Sequence, residues 1–246
     1  MSITRFFRDA MNRVFAYSNY DLVNNVITLH LLPRLRYWAS LEIMKSLRDC
    51  DGVLVDLGAG DGSMTKYLLK LGVKPRSIVL IDPAVNGLLM MRGGSEIIDK
   101  VVAIGEMLPL RSSSACIVYT AFALRQFSNK PLAMVEVHRV LRRYGSFIVL
   151  EFWRPDAVLI HALLLYYLTL PLPLLVSIIA PRSIREYSVM RLTIKNIGPI
   201  SWLRDLIDKL VGDVVSFRKY IGIFVVIRAR NIRDAHLRIN SPESKL

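Results

Sequence analysis

Asp56, Asp82 and the glycines between them are the residues whose types and spacing best suit chemistry. Asp56 lies at the end of the apolar run Gly52-Val-Leu-Val-Asp-Leu57, and Gly58-Ala-Gly-Asp-Gly62 follows at once, ahead of a helical segment from Ser63 to Lys70. Strand, glycine loop and helix in that order bring a backbone close to a nucleotide-like ligand. Gly58 and Gly60 can turn with positive φ and clear side chains from the approach path, with Ala59 between them. Asp82 follows a second apolar run, Ser77 to Ile81, 24 positions after Gly58. A carboxylate at that strand tip can accept hydrogen bonds from both hydroxyls of a ribose. Gly62 falls one position early for a dinucleotide loop, and Ser63 stands where the third glycine would be. No pyrophosphate is therefore demanded. An adenosyl group with a sulfonium and an amino-acid tail suits the carboxylates and loop amides better. Residues 51–110 carry 6 basic and 7 acidic groups, the only segment without a basic excess, which agrees with a cationic cofactor.

Further strands must position these groups. The spacing predicts a third strand from Lys100 to Ile104, leading into Gly105 and Glu106, and a fourth from Ala115 to Thr120, ahead of Ala121. A helix is expected from Pro131 to Leu141, then a tight turn over Arg142 to Gly145, then a fifth strand from Ser146 to Phe152. Alternating strands and helices with glycine-marked turns imply an α/β, doubly wound parallel sheet. Ligands in such sheets sit at the carboxyl ends of the strands, so Asp56, Asp82, Glu106, Arg125 and Glu151 are expected on one rim. Pro83, just past Asp82, belongs to the same rim. Glu136, His138 and Arg139 fall mid-helix and read as structural.

The 246 residues carry 33 Lys+Arg against 20 Asp+Glu, a net charge of +13, and 53% are hydrophobic. Disorder is excluded, and an anionic membrane or nucleic acid is left as partner. Ala157 to Pro181 contains no charged residue, and its 25 residues exceed the ~20 needed to span a bilayer. Pro171 and Pro173 divide it, so two helices over a hydrophobic pocket, in touch with lipid, are expected rather than a span. Phe6, Phe7, Met11, Val14 and Phe15 follow helical spacing among arginines, as in a helix packed on the domain or one lying on a membrane. Cys50 and Cys116 share no metal-ligand spacing, and neither a disulfide nor a zinc site is expected, in keeping with a reducing compartment. No metal site is foreseen.

The motifs together resemble class I S-adenosylmethionine-dependent methyltransferases: Val55-Asp-Leu-Gly-Ala-Gly-Asp-Gly62, then Asp82, then Gly105-Glu-Met-Leu-Pro-Leu110. Phe122-Ala-Leu-Arg-Gln-Phe127, Glu136-Val-His-Arg-Val-Leu-Arg-Arg-Tyr-Gly145 and Val149-Leu-Glu-Phe-Trp-Arg-Pro155 narrow the likeness to the ubiquinone/menaquinone biosynthesis C-methyltransferases. Tyr20-Asp-Leu-Val-Asn24 is similar to that family's Tyr-Asp-Leu-Met-Asn, and Trp38 sits where the family has a Trp. The resemblance covers residues 17 to 156. It implies a Rossmann-like fold with a mostly parallel seven-stranded sheet, helices on both faces and a helical lid. Past residue 156 the resemblance fades. Residues and resemblance together lead to the expectation of a helical cap over 1–48, the cofactor core over 49–156, a hydrophobic lid over 157–200, a closing helix and antiparallel strands over 201–230, and a flexible tail over 231–246.

The resemblance also implies S-adenosylmethionine as cofactor, with contacts at Thr65 and Asp82, at Ile104 and Gly105 on the adenine side, and at Ala121. The family has Asn or Asp followed by Ala at the adenine pair, and Ser in place of Ala121, so this chain lacks those side-chain hydrogen bonds. Arg125, in the matching Leu-Arg-Gln run, is the first candidate for stabilising a phenolate on the acceptor. Tyr20, Asp21 and Asn24 are candidates for closing over the cofactor, and His161 for a base. The implied acceptor is a prenylated quinol, methylated on carbon by a cytoplasmic protein peripheral on the inner face of the cell membrane. RNA or another small-molecule acceptor, and a cofactor-binding protein without activity, stand as alternatives. No nucleic-acid module is visible, and a homodimer is among the partners envisaged.

Overall fold

Runs such as Val53–Leu57 are apolar at nearly every position and so form strands covered on both faces. The computed structural model describes residues 8–13, 20–50, 52–92, 96–183 and 190–232, without the side chains of 20–23, 183 and 190. Five parallel strands come first: β1 (Val53–Leu57), β2 (Ser77–Ile81), β3 (Ile98–Val101), β4 (Ala115–Ala121) and β5 (Leu141–Phe152). An antiparallel pair, β6 (Asp213–Tyr220) and β7 (Phe224–Arg230), completes one seven-stranded sheet ordered β3-β2-β1-β4-β5-β7-β6. The order reverses between β1 and β4, which opens a crevice at their carboxyl ends. Arg218 and Lys219 stud the β6 edge, where charge discourages pairing with another chain.

A short helical stretch over 8–13 precedes α1 (Tyr20–Ile27), α2 (Leu32–Asp49), α3 (Ser63–Lys70), α4 (Val85–Met90) and α5 (Lys130–Val140). After the fifth strand come α6 (Val158–Thr169), α7 (Pro171–Ile179), α8 (Met190–Lys195) and α9 (Ile200–Leu210). Asn129 caps α5 by accepting from the Leu132 amide at 3.0 Å, and Asp61 accepts from the Ser63 amide at the start of α3. α2 buries Leu35, Ala39 and Ile43 against the sheet. Its buried Glu42 lies 2.9 Å from Arg228 Nε on β7 and 4.0 Å from Arg218 on β6.

Three expectations are corrected. Cys50, at the end of α2, is disulfide-bonded to Cys116 in β4, closing a separation of 66 residues. The helix end docks its cysteine on the strand, a pairing invisible in sequence spacing, and the case for a reducing compartment falls with it. The expected turn over Arg142 to Gly145 is a bulge within β5: Ala115 pairs with Leu141, Ile117 with Ser146, and Tyr144 takes a φ of 64°. The third strand starts and ends earlier than expected, and Ile104 instead bridges Met107 in a turn. Phe6, Phe7, Val14, Phe15 and the tail beyond 232 lie outside the described residues.

The uncharged stretch forms two helices meeting at Leu170, α6 and α7. Leu164, Leu168, Leu172, Val176 and Ala180 are buried at every fourth position, while most of the remaining side chains face outward.

Candidate active site

The loop after β1 turns on Gly58, Gly60 and Gly62, all with positive φ. A Cβ on Gly58 would lie 2.3 Å from Ala123 Cβ, so the loop after β4 can close on the glycine loop only because no side chain stands there. The Gly58 and Ala59 amides donate to Ile81 O, while Gly60 N donates to Asp82 Oδ2 at 2.9 Å and Ala84 N to Asp82 Oδ1 at 2.7 Å. Asp82 thereby holds the two loops together. Each of its oxygens retains acceptor capacity for a ligand.

These loops wall a cleft of about 940 Å³, counting its open mouth. Asp56, Gly58, Ala59, Gly60, Asp82 and Pro83 line it, together with Ile104, Gly105, Glu106 and Ala121. Gly105 is pressed on the Phe127 ring, where a Cβ would come within 2.5 Å. Asp56 is almost wholly buried and accepts from Thr65 Oγ1 at 2.6 Å. Burial pushes its carboxyl up to about 7, against the hydrogen bonds from Thr65 and Tyr119, with Asp82 and Asp61 adding repulsion. Burial likewise lifts Asp82 to about 6, opposed by the Ala84 and Gly60 amides. The Tyr119 phenol is raised well above its usual range, first by burial and then by Asp56.

Buried carboxylates facing open space suit a ligand that brings positive charge, as a sulfonium with an α-amino group does. Glycine backbone and a strand-tip acid suit its ribose. The residues present therefore fit S-adenosylmethionine. Such a ligand favours ionised carboxyls, so its affinity is expected to rise with pH through about 6 to 7, with proton release on binding. Calorimetry in buffers of different ionisation enthalpy reads this directly, and a flat profile from pH 5.5 to 8 would count against it. Without ligand the sign is opposite. Both carboxyls have folded values raised above the ordinary 3.8, so the folded state binds more protons than the unfolded one, and their contribution to stability declines as pH rises from about 4 to 7.

Not every candidate from the sequence reaches this cleft. Thr65 is fully buried behind the wall, its hydroxyl committed to Asp56 and, at 2.6 Å, to the Tyr119 hydroxyl; it orients Asp56 and does not line the cleft. Arg125 stands in a neighbouring cavity of about 300 Å³ with Asn24, Thr28, Leu32, Phe122, Phe152 and Phe224. Its Nη1 donates to Glu151 Oε1 at 2.6 Å and to Phe122 O at 2.7 Å, and its backbone amide donates to Glu151 Oε2 at 3.2 Å. His161 lines neither cavity. Its Nε2 is buried without a partner, and burial together with Arg154 lowers its basicity. Tyr20 begins α1, but its side chain lies outside the described residues. Glu136 accepts from the Leu108 amide and pairs with Arg139, a structural clamp on the loop before β4. Arg36, Gln126 and Phe127 also line the cleft. Arg36 belongs to no motif, and Gln126 and Phe127 close the Phe122 to Phe127 run, whose sequence does not say that they face a ligand. The docking of α2 and the 3-10 turn Leu124–Gln126 brings them there.

The two cavities share Asn24, Leu32 and Phe122. Phe122 has a φ of 59°, an uncommon conformation for an aromatic residue, and its amide donates to Leu150 O. A donor cleft and a smaller, aromatic-lined cavity with a guanidinium thus meet at one strained residue.

The chain resembles known proteins in sequence and in fold. A "Ubiquinone/menaquinone biosynthesis C-methyltransferase UbiE" from Hahella chejuensis is 30% identical over 174 residues, 68% of each chain. The protein of that name from Blochmanniella pennsylvanica is 28% identical over 152 residues, 58% of each chain. Among solved structures, a putative sarcosine dimethylglycine methyltransferase from Galdieria sulphuraria superposes with a TM-score of 0.61 at 13% identity, over 80% of this chain and 85% of that one. An S-adenosylmethionine-dependent methyltransferase from Aquifex aeolicus gives 0.55 at 12% identity, over 85% and 98%. These two share the fold. The ubiE/COQ5 methyltransferase family matches residues 6–229. With that match spanning nearly the whole sequence, the chain belongs to the ubiE/COQ5 methyltransferase family and is an S-adenosylmethionine-dependent methyltransferase.

Proposed function

We propose that this enzyme methylates a ring carbon of a prenylated quinol reached from the surface of the cell membrane. The observation that carries the reading is the Arg125–Glu151 pair, set in an apolar cavity that shares a wall with the cofactor cleft. The names of the UbiE relatives support the same acceptor class.

S-adenosylmethionine supplies a methyl group on a cationic sulfur, open to in-line attack. The acceptor carbon would become nucleophilic when a ring hydroxyl gives its proton to solvent. Once the carbon takes the methyl group and the sulfur leaves as a neutral thioether, the carbon's own proton is lost to solvent and the ring regains aromaticity. Arginine stays protonated, so Arg125 serves as the cation that stabilises the phenolate. Glu151 is fully buried and holds the guanidinium by Nη1 and the same residue's amide. That leaves Nε and Nη2 without hydrogen-bond partners among the described residues and free for the acceptor. Phe122, Phe152 and Phe224 exclude water around the ring. Asp56 and Asp82 orient the donor, so proximity and alignment supply the rest.

Purified enzyme given labelled S-adenosylmethionine and a prenylated quinol is expected to place the label on ring carbon. Label in RNA offered alongside, or none in either acceptor despite saturable cofactor binding, would overturn the reading. Arg125→Ala is expected to lower kcat about a hundredfold or more while leaving cofactor affinity within about threefold. A large loss of cofactor affinity with intact kcat would instead place Arg125 in cofactor binding.

A further inference from the structure

We infer that the outward face of α6 and α7 lies in the interfacial layer of an anionic bilayer, without crossing it. The inference rests on the membrane reading above and names the surface that makes the contact. Val158, Leu159, Leu163, Tyr166, Leu174 and Ile178 are exposed, Val158 by 84% and Ile178 by 80%. An 18-residue window of Val158–Ile179 has a mean hydropathy of 2.1, and only 22% of that window is buried. A helix apolar on all sides that buries one stripe has a second apolar environment to satisfy. Length and composition alone would also allow crossing. The inner stripe argues otherwise: Leu164, Leu168, Leu172 and Val176 join the core of the fold, and Tyr167 hydroxyl reaches Ile27 O on α1 at 3.4 Å. Crossing would tear that stripe away.

Charge selects the occupant. No charged residue falls between Asp156 and Arg182, whereas exposed Arg182 follows the face directly. Exposed Arg191 and Lys195 lie on α8, which packs against α6. Asp156, at the near end, is neutralised by Lys219. An apolar face rimmed by cations suits lipid with anionic headgroups. The turn between β6 and β7 widens the face: Ile221 is exposed, and Gly222 sits against Ile160, whose Cδ1 would be 3.1 Å from an added Cβ.

The test is co-sedimentation of the full chain with phosphatidylcholine vesicles containing phosphatidylglycerol. Binding is expected, weakening with salt, and falling about tenfold or more for each of Leu159→Glu and Ile178→Glu. Both sites are exposed, so unchanged circular dichroism and melting should accompany the loss. Both variants should keep wild-type turnover on a short-tailed, water-soluble quinol and lose it on a vesicle-embedded one. Absence of turnover on the soluble quinol would sink the proposed acceptor, while vesicle binding is read independently of it. Three outcomes overturn the membrane face: no vesicle binding by the wild type, a dimer that the same substitutions dissociate, or resistance to alkaline carbonate extraction, which would mean a span.

Discussion

Asp82→Ala is expected to weaken S-adenosylmethionine binding by roughly two to four orders of magnitude. Two charge-assisted hydrogen bonds from a ribose diol to one carboxylate are each worth about 1.5–3 kcal/mol. The same substitution strips the Gly60 and Ala84 amides of their shared acceptor, so the glycine loop loses its tie to the end of β2. Asp82→Asn separates the two effects. Its one remaining side-chain acceptor oxygen can serve an amide or a ribose hydroxyl, but the charge is gone, and an intermediate loss of about tenfold is expected. Titration calorimetry gives the affinities, and thermal melting reports the loop's share. Wild-type affinity in Asp82→Ala would remove Asp82 from the cofactor site altogether.

Loss of the Cys50–Cys116 bond is the second large effect. In the chain-entropy account, a bond closing 66 residues stabilises by about 4 kcal/mol. For a chain of this size each kcal/mol moves Tm by about 2–4 °C, so reduction should lower Tm by roughly 10 °C. Comparing oxidised and reduced wild type leaves every side chain in place, while Cys50→Ala with Cys116→Ala confirms the assignment. The bond ties α2 to β4, and α2 supplies Leu32 and Arg36 to the cleft. Cofactor affinity should therefore fall along with stability. An unchanged Tm on full reduction would show that the bond does not constrain the unfolded chain.

Local pattern was enough for the nucleotide half. β1, β2 and α3 were legible because a buried parallel strand must be apolar throughout, and because the glycine loop and Asp82 have few other uses. The failures share a physical cause. Arg142 to Gly145 looks like a turn because Gly145 punctuates it, yet β5 carries the extra residues as a bulge against β4. Thr65 looks like a cofactor contact from its place in a motif, but the hydrogen-bonding needs of Asp56 and Tyr119 draw it inward. The disulfide and the Arg125–Glu151 pair depend on segments far apart in the chain, and no local spacing encodes such meetings.

Glu42 has a consequence for the order in which the chain becomes an enzyme. The helix carrying it is made early with Lys45 beside it, but its partners across the fold, Arg228 and Arg218, are in the last two strands. Phe224 of the last strand also faces Asn24, Thr28 and Leu32 across the smaller cavity. During synthesis the glycine loop, Asp82 and the end of β4 can assemble into the larger cleft while the smaller cavity still lacks a wall. The first helices must wait, half-docked, for the final strand to leave the ribosome. A chain halted before β7 can thus wall the larger cleft, while the smaller cavity stays open until Phe224 emerges.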